Sequence, residues 1–86
     1  MKIISRIKKK ITYNENEFEG FYKNHHIFIQ REPSESSICG YIYYIEVRNE
    51  DGIYSYGGYW SGERSDKYYP DMEDAVKEAL IGAQLL

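Results

Sequence analysis

The run from Gly40 to Trp60 constrains this chain more than any other stretch. Gly40-Tyr41-Ile42-Tyr43-Tyr44-Ile45-Glu46-Val47-Arg48 leads through Asn49-Glu50-Asp51-Gly52 into Ile53-Tyr54-Ser55-Tyr56-Gly57-Gly58-Tyr59-Trp60. Tyrosine and isoleucine suit a pleated, half-buried surface, and Asp-Gly supplies the positive φ angles of a tight turn. The segment therefore reads as a β-hairpin. A two-residue loop at Asp51-Gly52 or a four-residue loop from Asn49 to Gly52 places Tyr41, Tyr43, Ile45 and Val47 on one face with Tyr54, Tyr56 and Trp60. A three-residue loop would flip the second strand and scatter that set, so it is disfavoured. Ile42, Tyr44, Glu46, Arg48, Ile53, Ser55 and Tyr59 fall on the other face. Gly57-Gly58 marks a bulge or a close backbone approach.

One face of such a hairpin needs a cover, and the C-terminal segment offers one. Pro70-Asp71 begins a helix, with Asp71 as N-cap and Glu73 and Asp74 beside the positive end of the helix dipole. Met72, Ala75, Val76, Ala79, Leu80 and Ala83 recur at helical spacing and form one apolar stripe. Its three alanines imply close approach to an aromatic-lined sheet. Gly82 costs the last turn about 1 kcal/mol against alanine.

Upstream, Ile3, Ile4, Ile7 and Ile11 fit helical spacing, while Ile3, Ile7, Ile11 and Tyr13 fit alternation. β-Branching and short length favour strand. Asn14-Glu15-Asn16 reads as a turn, Glu17 to Tyr22 and Ile27 to Arg31 as strand material, either continuous or broken near Lys23-Asn24-His25-His26, and Pro33 to Ser37 as a loop. The expected fold is α+β: a mainly antiparallel sheet of about four strands, in β-β-β-β-α order, with one helix on one face. At 86 residues, with no shift in composition along the chain, this is a single domain.

No motif for catalysis emerges. His25 and His26 are adjacent and would point to opposite faces of a strand, so they do not chelate one ion, and no metal or other cofactor is expected. Cys39 lacks a local signature for a nucleophile. The single cysteine cannot form an internal disulfide, and no apolar run approaches a membrane span. Residues 1–6 lack the apolar centre of a signal peptide, so a cytoplasmic protein is expected.

Binding surfaces are better represented. The helix covers only one sheet face, leaving Tyr44, Tyr59 and Arg48 with the Gly62–Asp66 loop, including Arg64, as a partner-binding surface. Alternatively the N-terminal segment folds over that face, or a homodimer buries it. Glu15, Glu17 and Glu19 alternate and would share a strand face as an acidic patch for a basic groove. Residues 1–10 hold five of the eleven cations and no acid, leaving six cations against fourteen acids in the remainder. Lys8, Lys9 and Lys10 with the outward tyrosines would suit single-stranded nucleic acid, although the net charge of −3 opposes it.

Tyr43-Tyr44-Ile45-Glu46-Val47, the Asp51-Gly52 turn and the stretch Met72 to Leu80 resemble HicB-type antitoxin domains, which pair a hairpin with a Thr-x-Glu-Glu-Ala-x-x-x-Ala helix. The Leu-Pro-Gly-Cys turn of those domains is absent here. In size, acidity and aromatic content the chain is similar to phage-encoded inhibitors, including anti-CRISPR proteins. The expected function is thus a non-catalytic module that occludes a heterologous protein partner, such as a phage- or mobile-element-type inhibitor of a host defence enzyme. An antitoxin or immunity protein is a further alternative.

Overall fold

The computed structural model describes residues 2–63 and 69–86. A short 3-10 turn, Ile4–Arg6, precedes five strands and one helix: β1 (Lys9–Tyr13), β2 (Glu17–Tyr22), β3 (His25–Pro33), β4 (Tyr41–Arg48), β5 (Tyr54–Trp60) and α1 (Met72–Gly82). The strands form one antiparallel sheet in chain order, β1-β2-β3-β4-β5. The architecture is the expected α+β sheet with a C-terminal helix on one face, with five strands in place of about four. No helix among the described residues is long and apolar enough to cross a membrane.

Local chemistry accounts for the turns. Asn14 Oδ1 accepts from the backbone of Asn16 and Glu17 at 2.8 and 2.9 Å, which reverses the chain between β1 and β2. Lys23 and Asn24, both at positive φ, make the two-residue β2–β3 turn without glycine. Between β4 and β5 the structure corrects the sequence reading. Asn49 N donates to Ile53 O and Gly52 N to Asn49 O, closing a three-residue loop with Gly52 at φ 78°. A bulge then shifts the register, so Arg48 pairs with Tyr54 but Val47 with Tyr56. The bulge restores Tyr56 and Trp60 to the inner face with Tyr43, Ile45 and Val47. Tyr54, on the turn side of the bulge, goes to the outer face instead. The bulge falls at Ser55 rather than at Gly57-Gly58. At Gly57 the close approach is real: a Cβ there would lie 2.1 Å from the Ile45 carbonyl oxygen.

The core lies between the inner sheet face and α1. Phe18, Ile27, Ile29, Tyr43, Ile45 and Val47 meet Met72, Ala75, Val76, Ala79 and Leu80, all buried. Each large aliphatic side chain buried here contributes about 1.5–3 kcal/mol. Asp71 caps α1 through a reciprocal pair: Asp74 N donates to Asp71 Oδ1 at 3.1 Å, and Asp71 N to Asp74 Oδ2 at 2.9 Å. The stretch before Lys9 is not strand. Ile3, Ile4 and Ile7 bury themselves beside α1, where Ile4 N donates to Glu73 Oε2 at 3.1 Å, while Ile11 is 57% exposed. The N-terminal segment therefore packs on the helix side and does not fold over the outer face.

Candidate functional site: the open sheet face

The registers place a defined set of side chains on the outer face, which no other described element covers. One row across the sheet reads Lys9, Phe21, His26, Arg48 and Tyr54 from β1 to β5. The next reads Thr12, Glu19, Phe28, Glu46 and Gly57. A third holds Glu17, Gln30, Tyr44 and Tyr59, and beyond it Glu32 pairs with Ile42. Alternation along β2, β3 and β4 sends Phe18, Ile27, Ile29, Tyr43, Ile45 and Val47 to the core.

The rows are knit together by contacts along the surface. Lys9 Nζ lies 4.7 Å from the centre of the Phe21 ring, whose other neighbour is the His26 ring at 5.2 Å. His26 Nε2 meets Glu19 Oε2 at 2.8 Å. Tyr44 stands between Phe28, at 6.5 Å and edge-on, and Tyr59, at 5.4 Å and tilted. Tyr44 Oη donates to Glu46 Oε1 at 2.7 Å, and Arg48 Nε to Glu46 Oε2 at 2.9 Å. Arg48 also donates to the Gly52 carbonyl at 2.9 Å, which fastens its guanidinium to the β4–β5 turn. These bonds hold the Glu46 carboxyl below its usual range, with the Tyr44 hydroxyl as the largest cause. The same bond, ahead of burial, raises the Tyr44 phenol. Tyr44, Glu46 and Arg48 are therefore fixed before any partner arrives, which reduces the ordering cost of binding.

Several expected site residues separate. Tyr44, Arg48 and Tyr59 share the open face, with Tyr59 65% exposed. Glu17 and Glu19 join them, but Glu15 lies in the β1–β2 turn and lines a groove with Lys2, Asp71 and Glu73. The three-residue acidic patch is thus split, because β2 begins only at Glu17. The lysines divide too. Lys9 lies over Phe21 on the face, Lys10 Nζ turns to the Ile7 carbonyl, and Lys8 is exposed ahead of β1. Arg64, with Ser65 and Asp66 of the expected loop, lies outside the described residues.

Sequence reading missed Phe21, His26, Phe28 and Glu32. The signal was present in the alternation Glu17-x-Glu19-x-Phe21 and His26-x-Phe28-x-Gln30-x-Glu32, once a two-residue turn at Lys23-Asn24 is recognised.

The loop entering β4 is tied down separately. The Glu63 carboxylate accepts from the Ser37 hydroxyl and from Cys39 N, the latter at 2.9 Å. These bonds, the Ser37 hydroxyl first, pull the Glu63 carboxyl down to about 2. Cys39 is half-buried in this loop, not in the core, and its thiol faces Ser37 Oγ at 3.2 Å and the Tyr41 carbonyl at 3.5 Å. His25 bonds to the Lys23 carbonyl and His26 to Glu19, and no hydrogen bond joins either histidine to that thiol among the described residues. No cluster of three or more His, Cys, Asp or Glu that could hold a metal occurs among the described residues.

Comparison with protein families, with curated proteins and with solved structures finds no match.

Proposed function

We propose that this protein is a non-catalytic binding module that occludes the functional surface of a protein partner with its open sheet face. One observation carries the reading: a broad sheet face that no other described element covers presents aromatic side chains beside a hydrogen-bonded Tyr44–Glu46–Arg48 set. Tyrosine and arginine in such a setting are the residue types that dominate protein interfaces. A rigid sheet carrying them blocks a partner without needing chemistry of its own. The biological setting attached to this mechanism is an inhibitor of a host defence enzyme, of the phage- or mobile-element type. An antitoxin or immunity protein would use the same device.

Affinity capture from host lysate, with and without nuclease, tests the reading. A stoichiometric protein should survive nuclease, and Tyr44→Ala with Tyr59→Ala should abolish its recovery, while replacing Lys8 and Lys10 should leave it intact. Recovery indifferent to both tyrosines sinks the proposal.

The row Lys9, Phe21, His26, Arg48 and Tyr54 favours a second reading, single-stranded nucleic acid stacked on the same face. That reading requires nuclease-sensitive recovery and a salt slope that flattens in Lys9→Gln.

A further inference from the structure

We infer that the occupant of the open face is a protein segment presenting arginine side chains, seated over Glu17, Glu32, Tyr44 and Tyr59. This rests on the occlusion reading and names the chemistry of its partner.

Among the described residues the open face carries four carboxylates, Glu17, Glu19, Glu32 and Glu46, against two cations, Lys9 and Arg48. Glu19 is held by His26, and Glu46 by Tyr44 and Arg48. Glu17 and Glu32 have no hydrogen-bonded side-chain partner or ion pair among the described residues. They sit on adjacent strands: Glu17 opposes Gln30, and Glu32 lies two residues further along β3. Diagonal neighbours of this kind are about 7–8 Å apart. Tyr44, opposite Gln30, is likewise diagonal to Glu32, and its ring adjoins Tyr59. Uncompensated negative charge thus borders a pair of aromatic rings at one end of the face.

A planar guanidinium suits that end better than a lysine ammonium. It stacks on an aromatic ring while its edge donates two parallel hydrogen bonds to a carboxylate. The other occupants fit worse. Phosphates would meet four carboxylates and two cations. A second copy laid face to face would bring the central row onto itself, so Glu19 and Glu46 would oppose carboxylates. The area also suits a protein. Five strands at about 4.8 Å spacing, and about six residues at 3.3 Å rise, give a footprint of about 24 by 20 Å. Both sides together bury about 1,000 Å², the size of a transient protein interface.

The test titrates isotope-labelled full-length chain, followed by NMR, with three probes: a short capped peptide bearing two arginines, its two-lysine counterpart, and an oligothymidylate. The arginine peptide should shift the amides of Glu17, Gln30, Glu32, Tyr44 and Tyr59. Glu17→Gln with Glu32→Gln, both on the surface, should keep the fold by circular dichroism and weaken that peptide about 10-fold. The lysine peptide should bind several-fold more weakly, and the oligonucleotide should leave these amides unmoved. Four results overturn the inference: no binding of the arginine peptide at about 10 mM, equal binding by the lysine peptide, indifference to the double substitution, or self-association through this face by sedimentation.

Lysate capture separates this failure from failure of the underlying reading. A partner lost with Tyr44→Ala but kept by Glu17→Gln with Glu32→Gln refutes the arginine occupant alone. A partner kept by Tyr44→Ala with Tyr59→Ala refutes occlusion itself.

Discussion

Replacing Gly82 with alanine should destabilise the protein, against the direction that helix propensity gives. Gly82 ends α1, and alanine in a helix is worth up to about 1 kcal/mol over glycine. A Cβ at Gly82, however, would stand 2.2 to 2.4 Å from three carbons of the Tyr56 ring. Ordinary contact needs more than 3.4 Å, so the ring must retreat by more than an ångström. It is poorly placed to do so, because the Tyr56 hydroxyl is tethered to the Glu78 carboxylate on the same helix. Overpacking of this kind costs about 1–3 kcal/mol, and the tether puts the cost in the upper half. Set against the propensity gain, the net effect is a loss of about 1–2 kcal/mol. For a domain of this size, that lowers Tm by roughly 4–16 °C. Urea denaturation followed by Trp60 fluorescence measures it, since Trp60 packs 6.0 Å from the Tyr43 ring. In a Tyr56→Ala background the same substitution should become neutral or stabilising, because the obstacle is gone. A Gly82→Ala protein more stable than the parent, or the same loss in both backgrounds, would refute the packing argument.

Three further outcomes follow from other parts of the molecule. Asp71→Ala removes one arm of the capping pair and should cost about 1 kcal/mol, read as a fall in Tm of about 4–8 °C; Asp71→Asn should recover most of it. Glu63, ordinarily near 4.5 and lowered to about 2 in the fold, contributes stability that is fully present above pH 4.5 and lost as pH falls towards 2. Glu63→Gln should therefore flatten the acid limb of the stability curve between those values, and an unchanged limb would deny the carboxylate its role in the 37–39 loop. Tyr56, raised to about 12 chiefly by its bond to Glu78, gives the mirror case: its contribution holds below pH 10 and disappears as pH rises through 12. Spectrophotometric titration of Tyr56→Phe should lack one of the latest-ionising phenols, and Glu78→Gln should bring that phenol down.

The sequence was legible where side-chain period and burial agree. Glu17 to Tyr22 and the stripe from Met72 to Leu80 were readable because one face of each meets the core. The β4–β5 hairpin was readable in its faces but not in its turn. A three-residue loop and a bulge at Ser55 cancel in register, so two irregularities leave nearly the pattern of none. Tyr54, lying between them, changed sides. The β2–β3 break near Lys23 to His26 stayed open between a turn and a continuous strand, because Lys23 adopts a positive φ without the glycine that announces such turns. The N-terminal isoleucines were ambiguous in kind: Ile3, Ile4 and Ile7 satisfy helical spacing, and their burial beside α1 depends on a helix nearly seventy residues away. For the candidate site, Tyr44, Arg48 and Tyr59 came from one hairpin and local alternation. Phe21, His26, Phe28 and Glu32 alternate as plainly, but placing them on the face of Tyr44 needs the two-residue turn at Lys23-Asn24 and the pairing of β3 with β4.

The meander also sets an order in time. Every strand is synthesised before α1, so the nascent sheet has its apolar face bare until Met72–Gly82 has left the ribosome. At about 5–20 residues per second, the interval between completing β5 and completing α1 is roughly 1–4 s. During that interval two nascent sheets could stack through Phe18, Ile27, Ile29 and Ile45, but not readily through the other side, where Glu17, Glu19, Glu32 and Glu46 repel their counterparts. The carboxylates on that side would thus confine adhesion between unfinished chains to the apolar side.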